Sequence, residues 1–400
     1  MLRRRAAQAR GTAHGVAHGV AHGAGPASVH VMAWLGLAVG IAVLLLTASS
    51  VINTLLIPRP ANPVLTSLVA RSVRDAYRLA SDRIADLNRR EKVLGTGAPA
   101  FLISLLVSWL VLVFAGFTLV LWPFSRGGLP AASRLAGSSM FTLGFAVPKG
   151  AAPFAIVFAA AATGLAIVAL QIAYLPALYA AYNRRETLVT MLEALGGAPA
   201  WGPELLARQA LIDNIPYLPR LYERWTEWAA DISESHANYR TLIYFRSPEP
   251  AASWLLSLLA VLDAAALHLA LCPYSAPPEA RPLLRIGYVT LRRLARSLRL
   301  PVAEDPRPDD PIALSRAEFD DAVAWVRDAG WRIERDGDEA WRHFRGWRVN
   351  YEGTAHTMAY FLNLPPALWS GPRRSLSPPV RAPKRPPHRA PEDESRPSLS

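Results

Sequence analysis

Long apolar runs alternate along the chain with arginine-rich polar segments. Three runs, at residues 31–57, 101–122 and 154–174, carry no charged side chain. Each is long enough to cross a bilayer, which takes about 20 apolar residues at roughly 1.5 Å of helical rise each. The pattern predicts three transmembrane helices. The first covers residues 31–57, and the third continues toward Tyr182.

A fourth apolar run, at residues 251–271, contains Asp263 and His268. Its leucines favour insertion by about 0.5 kcal/mol each, but a mid-helix aspartate costs about 3 kcal/mol, so the balance is near neutral. Several arginines that follow this run would lie outside the cell if it crossed the membrane. We therefore predict a buried core helix of a cytoplasmic domain. Asp263 and His268 then need polar partners, but five residues apart they do not share one helix face.

Residues 58–98 predict a cytoplasmic amphipathic helix, because leucines recur near one face and arginines fill much of the rest. This helix would lie on the inner membrane surface or pack beneath the membrane helices. A solvated linker helix is the alternative. Positive charge favours the cytoplasmic side of short loops. The arginine-rich segment therefore predicts a multi-pass protein of the cell membrane, with its N-terminus outside and its C-terminus in the cytoplasm.

Residues 183–369 predict a cytoplasmic helical domain. Apolar residues recur at helical spacing, and Ser315 with Glu318 forms a capping box. Tryptophans and arginines crowd together between residues 331 and 348. They form either a lipid or partner surface, or a core crossed by arginine stems. The predicted helices of this domain cover residues 203–213, 217–237, 253–271, 282–298, 315–329 and 339–363.

Both ends of the chain are low in complexity. Residues 1–30 and 370–400 are too rich in Gly, Ala, Pro or Arg to bury a core, so we predict disorder. A short repeat places His14, His18 and His22 four residues apart. It is either a loose metal site or a slipped repeat without a role.

Composition narrows the class of protein. Hydrophobic residues make up 52% of the chain and the net charge is +12. On a membrane protein such a basic excess fits contact with anionic lipid, and no nucleic-acid-binding motif is present. Cys272 is the single cysteine, so no internal disulfide forms. We expect membrane lipid, and no nucleic acid, among the partners.

The segment at residues 131–148 joins the second and third apolar runs. Its first part, residues 131–140, suits a short helix, whereas residues 142–146 do not. Gly144 permits a backbone angle that other residues avoid, so the chain can turn there. Irregular backbone at membrane depth is tolerated only where protein or water surrounds it. The pattern predicts a re-entrant pore loop. An ordinary extracellular loop of a membrane anchor is the alternative.

Thr142-Leu143-Gly144-Phe145-Ala146 resembles the filter of the potassium-channel family, which reads Thr-hydrophobic-Gly-aromatic-Gly. The first four residues match, and Ala146 stands where the family has glycine. The resemblance covers a pore module at residues 99–182. It implies that the five residues form a filter for a monovalent cation such as K⁺ in a homotetramer, with backbone carbonyls replacing the ion's water.

By the same resemblance the helix after the filter lines the pore and bends to gate it. The residues that this implies as pore-lining or gating are Thr163, Gly164, Gln171, Tyr174 and Pro176.

No catalytic constellation is evident. The histidines His236, His268, His343 and His356 are scattered, and no metal-ligand spacing, phosphate loop or nucleophile elbow occurs. We therefore expect neither an enzyme nor a cofactor or metal. The prediction is an all-α, potassium-channel-like membrane protein that conducts cations passively. A membrane-anchored, non-conducting interaction or sensor protein is the second hypothesis, and an anchored enzyme is the third.

Overall fold

A computed structural model describes residues 26–57, 64–249 and 251–371, and all the regular structure in these residues is helical. The membrane-type half of the chain contains α1 (Pro26–Leu55), α2 (Val64–Ser81), α3 (Leu87–Gly95), α4 (Gly97–Leu121), α5 (Gly128–Met140) and α6 (Ala151–Gly196). The later helices are α7 (Gly202–Leu211), α8 (Leu218–Asn238), α9 (Trp254–Leu271), α10 (Ala280–Ser297), α11 (Arg316–Asp328), α12 (Gly337–Arg348) and α13 (Glu352–Phe361). The predicted all-α class is confirmed for this part of the chain.

Four helical segments in the described residues are long and apolar enough to cross a membrane. They are His30–Leu55, Leu87–Phe124, Ala151–Gly196 and Trp254–Leu271. The first three match the predicted spans and include α1, α4 and α6. The fourth is α9, and every residue of α9 is buried within the protein itself. The composition is that of a multi-pass membrane protein.

Several predicted boundaries differ from the structure. Helix α1 begins at Pro26, so residues 26–30, predicted to be disordered, are helical. The segment 58–98 contains two helices in place of one, because Asp86 caps the start of α3 by accepting a hydrogen bond from the Arg89 N–H. The predicted helix at 339–363 is broken between α12 and α13. The histidine repeat and residues 372–400 lie outside the described residues.

The contacts divide the chain into two units. Unit 1 is built from the described residues of Met1–Leu45 and Leu112–Thr163, and unit 2 from those of Leu46–Val111 and Gly164–Ser400. Unit 1 therefore holds the whole segment between α4 and α6. Unit 2 holds the arginine-rich helices and the predicted cytoplasmic domain.

In unit 1, glycines allow α1 and α4 to pack closely. A Cβ atom added to Gly40 would lie 2.7 Å from the Gly116 carbonyl oxygen, and one added to Gly36 would lie 2.8 Å from the Trp122 ring. Both are closer than van der Waals contact. The four-residue spacing of Gly36 and Gly40 thus serves the close helix packing that small residues permit in membranes.

We expect Gly40→Ala to lower the free energy of unfolding by about 1–3 kcal/mol, the range for overpacking. The new methyl group meets backbone, which cannot rotate away as a side chain would. Denaturant titration of the full chain in detergent measures the change. Gly95→Ala is the control, because a Cβ there meets nothing within 4 Å. Equal effects of the two substitutions would contradict close packing at Gly40.

Unit 2 has its core around α9, as predicted for residues 253–271. Asp263 pairs with Arg348 at 2.5 Å and accepts a hydrogen bond of 2.7 Å from the Tyr351 hydroxyl. The His268 Nδ1 lies 3.2 Å from the Tyr222 hydroxyl oxygen. Both buried polar residues of α9 therefore have the partners that the sequence requires, and they use separate ones.

The tryptophan–arginine cluster contributes mainly to the core. Trp331, Phe344 and Arg348 are buried, and the Arg348 guanidinium lies over the Phe344 and Trp369 rings. Arg342 is exposed. Of the two interpretations of this cluster, a core crossed by an arginine stem fits these contacts.

Candidate functional site

The segment between α5 and α6 turns sharply at the residues that match the filter motif. Thr142 has φ of 56° and Gly144 has φ of 71°, both in the left-handed region. Glycine accepts that region without strain, as the sequence predicts for Gly144. Thr142 is β-branched, and such a residue is held there only by its surroundings, at a cost of about 1–3 kcal/mol. Strain of this kind concentrates at functional sites.

The filter-like segment folds back onto the end of α5. The Thr142 N–H donates to the Ser139 carbonyl oxygen at 3.0 Å, and the Leu143 N–H donates to the Ser138 carbonyl oxygen at 2.7 Å. The Ala146 N–H donates to the Ser138 hydroxyl oxygen at 3.0 Å. One buried serine therefore fixes both the beginning and the end of the segment.

Ser138 is a positioning residue that the sequence analysis missed. Its hydroxyl reaches a backbone N–H eight residues further along the chain, and only the fold brings the two groups together. The available signal is weak: Ser138 and Ser139 lie in the last turn of α5, where hydroxyl groups commonly bond to nearby backbone.

The carbonyl groups of the segment are the chemically available atoms. Among the described residues, no hydrogen-bond donor reaches the carbonyl oxygens of Thr142, Leu143, Gly144 or Phe145. Backbone carbonyls seek partners, so these four must meet water, a cation or another chain. Carbonyl oxygens are also the ligands that potassium-selective pores use.

The same residues are exposed in a single chain. Leu143 and Phe145 are 62% and 63% exposed, although both are large and apolar. Val147 and Phe158 in unit 1 are also strongly exposed. Apolar side chains exposed in a row mark a surface for lipid or for another chain.

The charged side chains near the segment are all basic. The described residues of unit 1 contain no carboxylate, but they include Arg126, Arg134 and Lys149. The C-terminal end of α5 meets the segment at Met140, and a helix C-terminus carries about half a negative charge. The helix end and the free carbonyls would attract a cation, whereas the three basic side chains oppose it.

The five predicted pore-lining or gating residues all lie within α6. Thr163 is half-buried and donates from its hydroxyl to the Ala159 carbonyl oxygen at 2.7 Å. Gly164 is buried and Pro176 is exposed. The helix continues past both residues to Gly196.

Gln171 and Tyr174 are 5% and 7% exposed, so other parts of the chain cover them. Tyr174 packs with Leu178, Leu242 and Phe245, and its ring lies edge-on to Tyr239 at 5.5 Å. This burial favours a packing role for Tyr174. The exposed residues of α6 nearby, such as Ile172, are apolar.

No cluster of three or more His, Cys, Asp or Glu side chains that could hold a metal ion occurs within the described ranges. His236 contacts Arg185, whereas His356 lies near the Trp369 carbonyl oxygen. The two histidines therefore have different partners.

Comparison of the chain with known protein families, curated proteins and solved structures found no match. The functional argument therefore rests on the residues and contacts given above. They define an all-helical, membrane-type protein with a strained segment between two long apolar helices.

Proposed function

We propose that the protein is a potassium-channel-like membrane protein that conducts monovalent cations passively. The observation that carries the proposal is the set of carbonyl oxygens at Thr142–Phe145 that no described donor reaches. They lie on an exposed, strained segment preceded by a short helix and flanked by two long apolar helices. Passive conduction needs such oxygens to replace the water around an ion.

Four copies of the chain would complete the site. A single chain supplies one segment, whereas a dehydrated cation such as K⁺ needs oxygens on all sides. The exposed Leu143 and Phe145 side chains would then be covered by neighbouring copies or lipid. In this proposal the filter comprises Thr142 to Ala146, and bending near Gly164 and Pro176 gates the pore.

The proposed topology places α5 and its following segment in a re-entrant position, entered from outside the cell. The helices α1, α4 and α6 cross the cell membrane, and α7–α13 form a cytoplasmic domain. Complete burial of α9 by protein supports three crossings, because a helix that faces lipid would leave one side uncovered.

A non-conducting interaction or sensor protein is the second candidate. Ala146 supports it, because the residue replaces a family glycine and its N–H is tied to the Ser138 hydroxyl. The absence of carboxylates from the described residues of unit 1 supports it as well. In that case the channel-like module anchors the protein without passing ions.

Flux measurements separate the two candidates. The full chain in lipid vesicles with a potassium gradient is expected to release K⁺. Thr142→Ala should reduce this flux about tenfold or more, since losing about 1.4 kcal/mol of ion coordination corresponds to a factor of ten. Thr187→Ala is the control, because Thr187 is an exposed threonine of α6 that bonds only within its own helix.

Oligomeric state in detergent completes the test. A tetramer with flux that depends on Thr142 supports conduction. A monomer or dimer without flux would overturn it and favour the interaction protein. Flux that Thr142→Ala and Thr187→Ala leave equally unchanged would mean that ions do not pass the proposed filter.

A further inference from the structure

Unit 2 contains a cavity of about 570 Å³. Its wall combines residues of α2, the beginning of α4, the 3₁₀-helix Arg240–Tyr244, the end of α10 and the end of α13. A volume of this size is typical of sites for small ligands. None of the residues proposed for the filter lines it.

Arginines make up a large share of the described wall of the cavity. The six arginines are Arg71, Arg74, Arg78, Arg240, Arg246 and Arg299, and no aspartate or glutamate is among the described lining residues. Arg246 pairs with Glu91, and Arg74 pairs with the exposed Asp75. Arg71, Arg78 and Arg299 form no ion pair with a described carboxylate, so the wall carries positive charge that a ligand could neutralise.

Two of these arginines, Arg240 and Arg299, are close enough to repel each other. Burial and the nearby charge of Arg299 both lower the pKa of Arg240. A nearby like charge disfavours the charged form of a side chain. An anion between them would remove the repulsion.

Polar groups in the wall also lack partners. The Ser253 hydroxyl is buried, with the residue only 5% exposed, and no described group hydrogen-bonds to it. The Ser247 hydroxyl and the Asn238 amide oxygen are in the same situation. Buried polar atoms normally have partners, so these three atoms are available to water or to a polar ligand in the cavity.

Part of the wall is apolar. Phe101, Tyr244, Trp254 and Phe361 line the cavity beside the arginines. A simple inorganic anion would leave these rings in water, whereas an anion attached to a carbon skeleton would cover them. The ligand therefore has a charged end and an apolar end.

The position in the chain agrees with such a ligand. Thr54 stands at the end of α1, and Phe101 stands near the start of α4. The ends of membrane helices lie at the level of the lipid headgroups. Basic pockets near helix ends on the cytoplasmic side suit anionic headgroups.

We propose that this cavity binds a phosphate ester that carries an apolar group, with the phosphate among Arg71, Arg240 and Arg299. An anionic phospholipid and a free phosphate ester share this chemistry. The inference rests on the cavity and on the proposed membrane topology, and it does not depend on ion conduction.

Native mass spectrometry of the full chain in neutral detergent tests the proposal. The probes are phosphatidylglycerol, phosphatidylcholine and hexyl phosphate, a soluble phosphate ester with an apolar chain, each titrated separately. We expect phosphatidylglycerol or hexyl phosphate to bind and phosphatidylcholine to bind at least about tenfold more weakly, because it is zwitterionic. Tighter binding of phosphatidylglycerol assigns the site to lipid, and equal binding of hexyl phosphate assigns it to a free ester.

The double variant Arg71→Gln/Arg299→Gln should weaken binding about 30-fold, the loss expected for two basic side chains that face an anionic group. Both side chains are exposed and lack ion pairs with described carboxylates, so folding should be preserved, which circular dichroism checks. Arg281→Gln/Arg342→Gln removes the same charge from exposed positions outside the cavity.

If the two double variants weakened binding equally, net charge alone would explain the effect, and the proposed site would be overturned. Binding of phosphatidylcholine as tight as that of phosphatidylglycerol, with no binding of hexyl phosphate, would also overturn it. Potassium flux is not a readout here, so a failure of conduction and a failure of this site are distinguishable.

Discussion

Arg348→Met is expected to lower the free energy of unfolding by about 3–5 kcal/mol, the cost of breaking a buried charge pair. The Arg348 side chain is buried between two carboxylates. It pairs with Asp263 at 2.5 Å and with Glu352 at 2.9 Å, and it donates to the Trp369 carbonyl oxygen at 2.6 Å. Methionine fills a similar volume but supplies neither charge nor donors.

The loss is large because the acids remain. Asp263 would keep its hydrogen bond from the Tyr351 hydroxyl, and Glu352 would keep its hydrogen bonds from the N–H groups of Ala313 and Leu314. Both acids would lose the positive charge that Arg348 supplies. An unpaired charge in a protein interior costs far more than an exposed one.

Denaturant titration of the full chain in detergent, followed by tryptophan fluorescence, measures the effect. Arg342→Met is the control, because Arg342 lies on the same helix and is exposed, so its loss should change the free energy by less than about 0.5 kcal/mol. Neutralising the acids as well, in Arg348→Met/Asp263→Asn/Glu352→Gln, should recover much of the loss. Equal effects of Arg348→Met and Arg342→Met would show that the buried cluster contributes no stability.

The same cluster shows where sequence reasoning fails. Apolar periodicity through residues 339–363 predicts one helix, but the chain breaks between α12 and α13. The break accompanies the contacts of Arg348 and Tyr351 with Asp263, which lies far away in the sequence. Tertiary contacts of this kind override the local sequence pattern, and the pattern alone does not predict them.

Local signals succeed where the interaction itself is local. The capping box of Ser315 and Glu318 is confirmed, because its two hydrogen bonds join residues three apart. The apolar runs predict α1, α4 and α6, since bilayer-length hydrophobic segments need no distant partner to be recognised. The short helix predicted at residues 131–140 is α5, which begins three residues earlier at Gly128.

The same distinction between local and distant contacts applies to the candidate sites. The filter-like residues are contiguous, so a motif can identify Thr142 to Ala146 as one group. The hydroxyl of Ser138 that holds Ala146 becomes visible only when the chain folds back. The basic cavity draws on α2, α4, α10 and α13, and no spacing along the chain relates Arg71 to Arg299.

Arg185→Met is expected to destabilise unit 2 by about 3–5 kcal/mol as well, again because buried charge and donors are lost. The Arg185 side chain is completely buried. It pairs with Glu186 at 2.7 Å and donates to the carbonyl oxygens of Leu242 and Phe245 at 2.7 and 2.8 Å. These bonds join α6 to the segment around the 3₁₀-helix Arg240–Tyr244.

Lysine cannot replace this arrangement. The guanidinium of Arg185 bonds in three directions in one plane and lies over the rings of Tyr182 and Trp254, at 5.1 and 5.8 Å from their centroids. An ammonium group keeps the charge but lacks the planar fork, so Arg185→Lys should lose much of the same stability. The comparison separates geometry from charge.

The neighbouring Arg184 provides a matched control in the same turn of α6. Its side chain is 58% exposed and pairs with Asp231 at 3.2 Å, so Arg184→Met should cost no more than about 1 kcal/mol. Titration with denaturant in detergent, with circular dichroism as the readout, measures all three variants. If Arg185→Lys were as stable as the unchanged protein, the charge alone would suffice, and if Arg184→Met cost as much as Arg185→Met, burial would not be the cause. We expect neither result, because Arg185 satisfies two backbone carbonyls and a buried carboxylate, whereas Arg184 forms only an exposed ion pair.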